Sequence, residues 1–161
     1  MGDFTHFDAE GKAIMVDVSD KKENVRMAVA TGSLLVSQEI YEKIAAGTMA
    51  KGDVLGVARI AGIMAAKKTS DLIPLCHVLP LTKCAVDFEL QHIEDKFFVT
   101  AACTVKTVAQ TGVEMEALTG VNIALLTVYD MCKAVDKRMM LLNIHLAYKT
   151  GGKSGDFVWD K

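Results

Sequence analysis

Asp130 and Lys133 stand three residues apart in a stretch otherwise dominated by apolar side chains. On a helix, residues i and i+3 share a face, so this spacing brings a carboxylate and an ammonium within one turn. Such a pair can accept and donate protons; on an open surface it is an ordinary ion pair of little energetic consequence. What singles it out is the rest of the same segment. Glu114 and Glu116 flank Met115 near the other end, beside Ala117 and Leu118. Glu116 and Asp130 differ by close to four helical turns, so they face the same way but lie ~21 Å apart along the axis. One small molecule cannot engage both ends within one chain. Either the ends serve different sites, or two chains together build each site.

Lys51 precedes a helical pattern in a Lys-Gly-Asp turn. A lysine there is electrostatically misplaced, because the start of a helix already carries partial positive charge. A solvated loop lysine is the plain reading; an anion held by lysine, glycine and exposed amides is the functional one. Lys67 and Lys68 close the same pattern, where the helix dipole favours them. Ile73 to His77 forms an apolar loop with Leu75 and Cys76 before its terminal histidine. A histidine at a strand entrance is usually structural but can orient or protonate a ligand. The tail from Lys149 through Lys153 to Gly155 resembles a phosphate loop, but a Walker motif needs glycine where Ala147 stands and a helix after the lysine. Glycines with two lysines could still wrap a phosphate as a mobile flap.

The elements that must position these residues follow from periodicity. Met1 to Glu23 is polar apart from Ala13 to Val18 and is expected to be a partly mobile arm with one short strand. Arg26 to Val36 reads as a strand. Ser37 caps a short helix to about Ala46, closed by Gly47. Gly52-Asp53 opens a second helix to about Lys68, with Val54, Val57, Ala58, Ala61, Met64 and Ala65 at helical spacing. Thr82 to Leu90 and Phe97 to Val105 alternate as two strands of a hairpin. Thr111 and Glu114 match a capping box, so the third helix should begin near Val113 and fade near Val135. Ile144, Leu146 and Tyr148 mark a last strand before a flexible Gly-rich tail, residues 150–161. This order, βαββαβ, is that of a ferredoxin-like α+β sandwich with helices on one face of an antiparallel sheet. The uncovered face of such a sheet favours oligomerisation.

Composition narrows the function classes. The 161 residues suit a single domain, and a net charge of -2 offers no field for nucleic acid. No apolar run approaches the ~20 residues of a membrane span. Met1 to Glu10 holds three acidic residues and no apolar core of a signal peptide, so a cytoplasmic location is expected. Cys76, Cys84, Cys103 and Cys132 lack any C-x-x-C spacing and read as reduced thiols, with no metal site expected.

Three long strings are more specific. KGDVLGVARIAGIMAAKKTSDLIPLCH, TGVEMEALTGVNIALLTVYDMCKAVDK and KTGGKSGDF, in that order, closely resemble the MoaC family of cyclic pyranopterin monophosphate synthases, as does the opening THFDAEGKAIMVDVS. Val78 departs from the proline that often follows this histidine. The resemblance implies a cytoplasmic lyase of molybdenum cofactor biosynthesis that acts on 3′,8-cyclo-7,8-dihydro-GTP and releases pyrophosphate. It implies Asp130, Lys133 and Lys51 as catalytic residues. It also implies that Leu75, Cys76, His77, Glu114, Met115, Glu116, Lys67 and Lys149 contact substrate, with Lys153 a further candidate. No resident cofactor is implied, and Mg²⁺ would arrive with the pyrophosphate group. A homohexamer built from dimers, with active sites between subunits, is the implied assembly.

The residue-level reading suits that chemistry: lysines answer polyphosphate charge, and Asp130 with Lys133, close together and partly buried, would supply an acid and a base. The competing class is a non-catalytic nucleotide-binding module, in which the same pair would be a surface ion pair and GTP would bind without turnover.

Overall fold

The computed structural model describes residues 6–160. The elements run β1 (Asn24–Val36), α1 (Gln38–Ala45), α2 (Val54–Ala66), α3 (Thr69–Leu72), β2 (Leu81–Ile93), β3 (Lys96–Ala109), α4 (Glu114–Cys132), β4 (Met140–Thr150) and β5 (Phe157–Val158). The strands form one antiparallel sheet in the order β2-β3-β1-β4-β5. With α2 and α4 packed on the sheet, this is the ferredoxin-like sandwich expected from the element order.

Period-two patterning builds the sheet face that meets the helices. On β1, Ala28, Ala30 and Leu34 are fully buried; on β3 they are joined by Val99, Ala101, Cys103 and Val105. Ala117, Val121, Ala124, Leu125 and Val128 of α4 press onto that face. Small residues let α2 and α4 pack closely against each other. A Cβ on Gly62 would come within 2.8 Å of the Gly120 carbonyl oxygen, and one on Gly120 within 2.5 Å of Cys103 Sγ. Glycine at these two positions therefore sets how near the helices approach each other and the sheet.

Several expectations need revision. The second helix ends at Ala66 with Lys67 as its C-cap, and a separate short turn, α3, follows. The capping box does not form: α4 starts at Glu114, so Val113, whose side chain holds no acceptor, stands at the N-cap in place of Thr111, and Glu114 pairs with Lys149 instead. The short strand expected in Ala13 to Val18 reduces to one isolated bridge between Phe7 and Ala13. The C-terminal glycines lead into β5, which pairs with Tyr148 and Lys149 of β4. Gly151, at φ +83°, makes that turn, and a Cβ there would strike the Val25 carbonyl. All four cysteines are free thiols.

Candidate active site

Two groups of residues lie at opposite ends of the α2–α4 pair. At the first, the start of α2 meets the end of α4. Asp53 caps α2 by accepting a hydrogen bond from the Gly56 amide at 2.8 Å. Gly52, at φ +84°, turns the chain just before it. Lys51 Nζ then donates to the Asp130 carbonyl oxygen at 3.2 Å and lies 3.7 Å from Asp130 Oδ2. Lys133, the C-cap of α4, donates to Asp130 Oδ1 at 2.6 Å.

Two electrostatic misfits cancel here. Lys51 stands at the positive end of α2, and Asp130 stands near the negative end of α4. Antiparallel packing makes each the partner of the other. Hydrogen bonding from Lys133, and then the charges of Lys133 and Lys51, hold the Asp130 carboxyl below its ordinary value. Bonding to Asp130 raises Lys133 in turn. The cluster therefore presents a carboxylate between two ammonium groups. It is open to solvent, with side-chain exposures of 59% for Asp130 and 50% for Lys133. The expected partial burial is absent: both side chains lie on the solvent side of the last turn, whose Met131 and Cys132 are the residues turned to the core.

At the second end, the loop after α3 and the first turn of α4 border a cleft of about 380 Å³. Leu75, Cys76, His77, Glu114, Met115 and Glu116 line it, with Thr111 and Gly112. Glu114 accepts from Lys149 Nζ of β4 at 3.0 Å, so α4 and β4 are joined by a half-buried ion pair. Glu116 is only 5% exposed. Burial is the main cause that carries its carboxyl from 4.5 to about 7, and the charge of Glu114 adds to it. Burial, reinforced by Glu116, raises the Cys76 thiol. The His77 ring donates from Nε2 to the Val16 carbonyl at 2.8 Å.

Lys67 lines a different cleft, with Ile63, Leu79, Leu81, Thr82, Lys83 and Cys84. The structure thus joins Lys51 with Asp130 and Lys133, and the loop Leu75–His77 with Glu114–Glu116 and Lys149. It leaves Lys67 and Lys153 outside both groups. Along the 19 residues of α4 the two groups remain ~21 Å apart. Among the described residues no group of three or more His, Cys, Asp or Glu side chains is arranged to hold a metal ion, and no helix is long and apolar enough to cross a membrane.

The family model described as the MoaC family matches residues 15–152. The chain belongs to the MoaC family. Among its relatives, a cyclic pyranopterin monophosphate synthase of Clostridium botulinum is 59% identical over 155 residues, 96% of either chain. One of Clostridium perfringens is 59% identical over 153 residues, 95% of this chain and 96% of its own. One of Bacillus cereus is 55% identical over 158 residues, 98% of either chain.

Two structural contributors to this MoaC-family site are not among the residues that the sequence singles out. Arg26, 9% exposed, donates from Nε to the Ala109 carbonyl and from Nη2 to that of Gln110, both at 2.9 Å. It thereby fixes the chain just before Thr111 and Gly112. An arginine at an inward position of β1 was the available signal. The other is the segment before β1: His6, Val16, Val18 and Lys21 line the same cleft as His77 and Glu116. Apart from the apolar run Ala13 to Val18, which suggests only a short strand, its sequence is polar and marks none of these residues as cleft-lining.

Proposed function

We propose that this chain is a cyclic pyranopterin monophosphate synthase, converting 3′,8-cyclo-7,8-dihydro-GTP to cyclic pyranopterin monophosphate with release of pyrophosphate. The reaction is an early step of molybdenum cofactor biosynthesis, and the enzyme is by class a phosphorus–oxygen lyase. The observation that carries this reading is the meeting of Lys51, Asp130 and Lys133 across 79 residues of chain, in a member of a family whose named relatives have this activity. An oriented carboxylate flanked by two ammonium groups answers both needs of the reaction, proton transfer and the charge of departing pyrophosphate.

In this proposal Lys133 Nζ donates a proton during ring rearrangement, and Lys51 Nζ takes up phosphate charge. Asp130 orients both lysines and accepts a proton. Leu75, Cys76, His77, Glu114, Met115, Glu116 and Lys149 hold the substrate, with Lys67 reaching it from the neighbouring cleft. Mg²⁺ enters, if needed, with the pyrophosphate group. The ~21 Å between the two groups supports sites shared between subunits, in a homohexamer built from dimers. The setting is the cytoplasm.

The test is incubation with the cyclised GTP precursor, following released pyrophosphate and the fluorescence of the oxidised pterin. Turnover that disappears in D130A, K133A and K51A supports the reading. Binding of GTP without any turnover of the precursor refutes it in favour of a nucleotide-binding module.

A further inference from the structure

The segment between His6 and Lys21 has few interactions of its own to hold it in place. Its polar contacts are mainly local: Ile14 N donates to the His6 carbonyl at 3.0 Å, and Asp8 Oδ1 accepts from the Lys12 amide at 2.8 Å. Ile14 and Met15 are 40% and 54% exposed, while Val16 and Val18, which line the cleft, are half-buried. Among the described residues one hydrogen bond ties it to the body of the fold, from His77 to the Val16 carbonyl. Immediately after that tie, Asp17 Oδ1 accepts from the Ser19 amide at 2.8 Å, and Lys21 N donates to the Val18 carbonyl at 2.9 Å. This turn sets Lys21 at the wall of the cleft, facing the loop of Cys76 and His77 and the first turn of α4.

The charges around the cleft make that placement consequential. Helix α4 contributes two carboxyls, and Lys149 is already committed to one of them. Lys21 lines the cleft and is exposed, and it takes part in none of the ion pairs among the described residues. An anionic ligand entering there meets one uncommitted ammonium, on a segment latched by a residue of the site itself.

We propose that residues 13–21 form a strap, latched by His77, and that Lys21 on it is a further substrate-binding residue that contacts a phosphate group of the nucleotide-derived substrate. The inference rests on the synthase reading given above. It adds a binding residue from a segment that contributes no catalytic group. Because Lys21 holds charge without entering proton transfer, it acts on binding rather than on turnover.

The experiment compares K21A, K21R and K12A in the full chain. Lys12 is a lysine of the same segment that does not line the cleft. Each variant is measured for turnover of the cyclised precursor and for calorimetric affinity toward GTP. K21A is expected to raise KM and the GTP Kd about tenfold, as for one lost charge-assisted contact, with kcat within about twofold. K21R should retain most of the affinity, and K12A should match the parent. Unchanged KM and Kd in K21A overturn the proposal, as does an equal loss in K12A, which would mark a diffuse field. If the parent protein binds GTP in a Lys21-dependent way but never turns over the precursor, the synthase reading falls and the strap stands. If turnover is intact and Lys21 is silent, the reverse holds; if the parent neither binds GTP nor turns over, both fall.

Discussion

Replacing Glu116 by glutamine tests the central physical claim about the cleft, that burial rather than a partner charge governs this carboxyl. In the folded chain the group retains its proton up to about 7, whereas unfolded it loses the proton near 4.5. Between those values the folded state binds more protons than the unfolded state, so stability falls as pH rises. The contribution is undiminished below the ordinary carboxylate value and is lost progressively as pH climbs through about 7. At 1.36 kcal/mol per tenfold change in proton affinity, the whole interval corresponds to about 3 kcal/mol. E116Q has the same shape and no charge. It should therefore match the parent near pH 5 and exceed it by up to about 3 kcal/mol near pH 8.5. Urea denaturation across that range gives the difference directly, and in a domain of this size it corresponds to several degrees in Tm. A stability difference that does not vary with pH would refute the reasoning. So would a larger parent stability at pH 8.5, which would mean the carboxylate has a cationic partner.

Three other outcomes follow from the geometry. D130A should abolish turnover while leaving thermal denaturation at neutral pH unchanged, because the Lys51–Asp130–Lys133 cluster is solvent-exposed; a large loss of Tm would contradict that. G120A should destabilise the chain by about 1–3 kcal/mol through the clash of its Cβ with Cys103 Sγ, and adding C103A should recover part of the loss in a denaturant titration. R26M should cost about 2–3 kcal/mol by stripping the Ala109 and Gln110 carbonyls of a buried charged donor. It should also raise KM by loosening Thr111 and Gly112, whereas an unchanged KM would dissociate that turn from the cleft.

Much of this protein is written locally. The alternation in Arg26 to Val36 and in the hairpin strands demands a half-buried sheet, and the helical spacing after Asp53 demands a helix, whatever else the chain does. Element order then allows few topologies, and the observed β2-β3-β1-β4 arrangement is the one that βαββαβ implies. Boundaries were less legible. Glu114 has the spacing of a capping-box partner, yet Lys149, distant in sequence, claims its carboxylate instead. The turn of α3 and the pairing of β5 likewise depend on what the chain packs against.

The candidate site divides in the same way. Side-chain types alone mark Lys51, Asp130, Lys133, Glu116 and His77 as able to do chemistry. The sequence even exposes the electrical misplacement of Lys51, since helix polarity is a local property. Tertiary structure decided that Lys51 and Asp130 resolve each other, because two glycines let α2 and α4 pack closely with opposite polarity. It also decided that Glu116 is buried while Asp130 is not, although both lie on one helix: loop and arm line the cleft against the first turn, whereas in the last turn Met131 and Cys132 face the core and Asp130 faces solvent. Burial and partner identity are set by distant parts of the chain, so no reading of a local segment contains them.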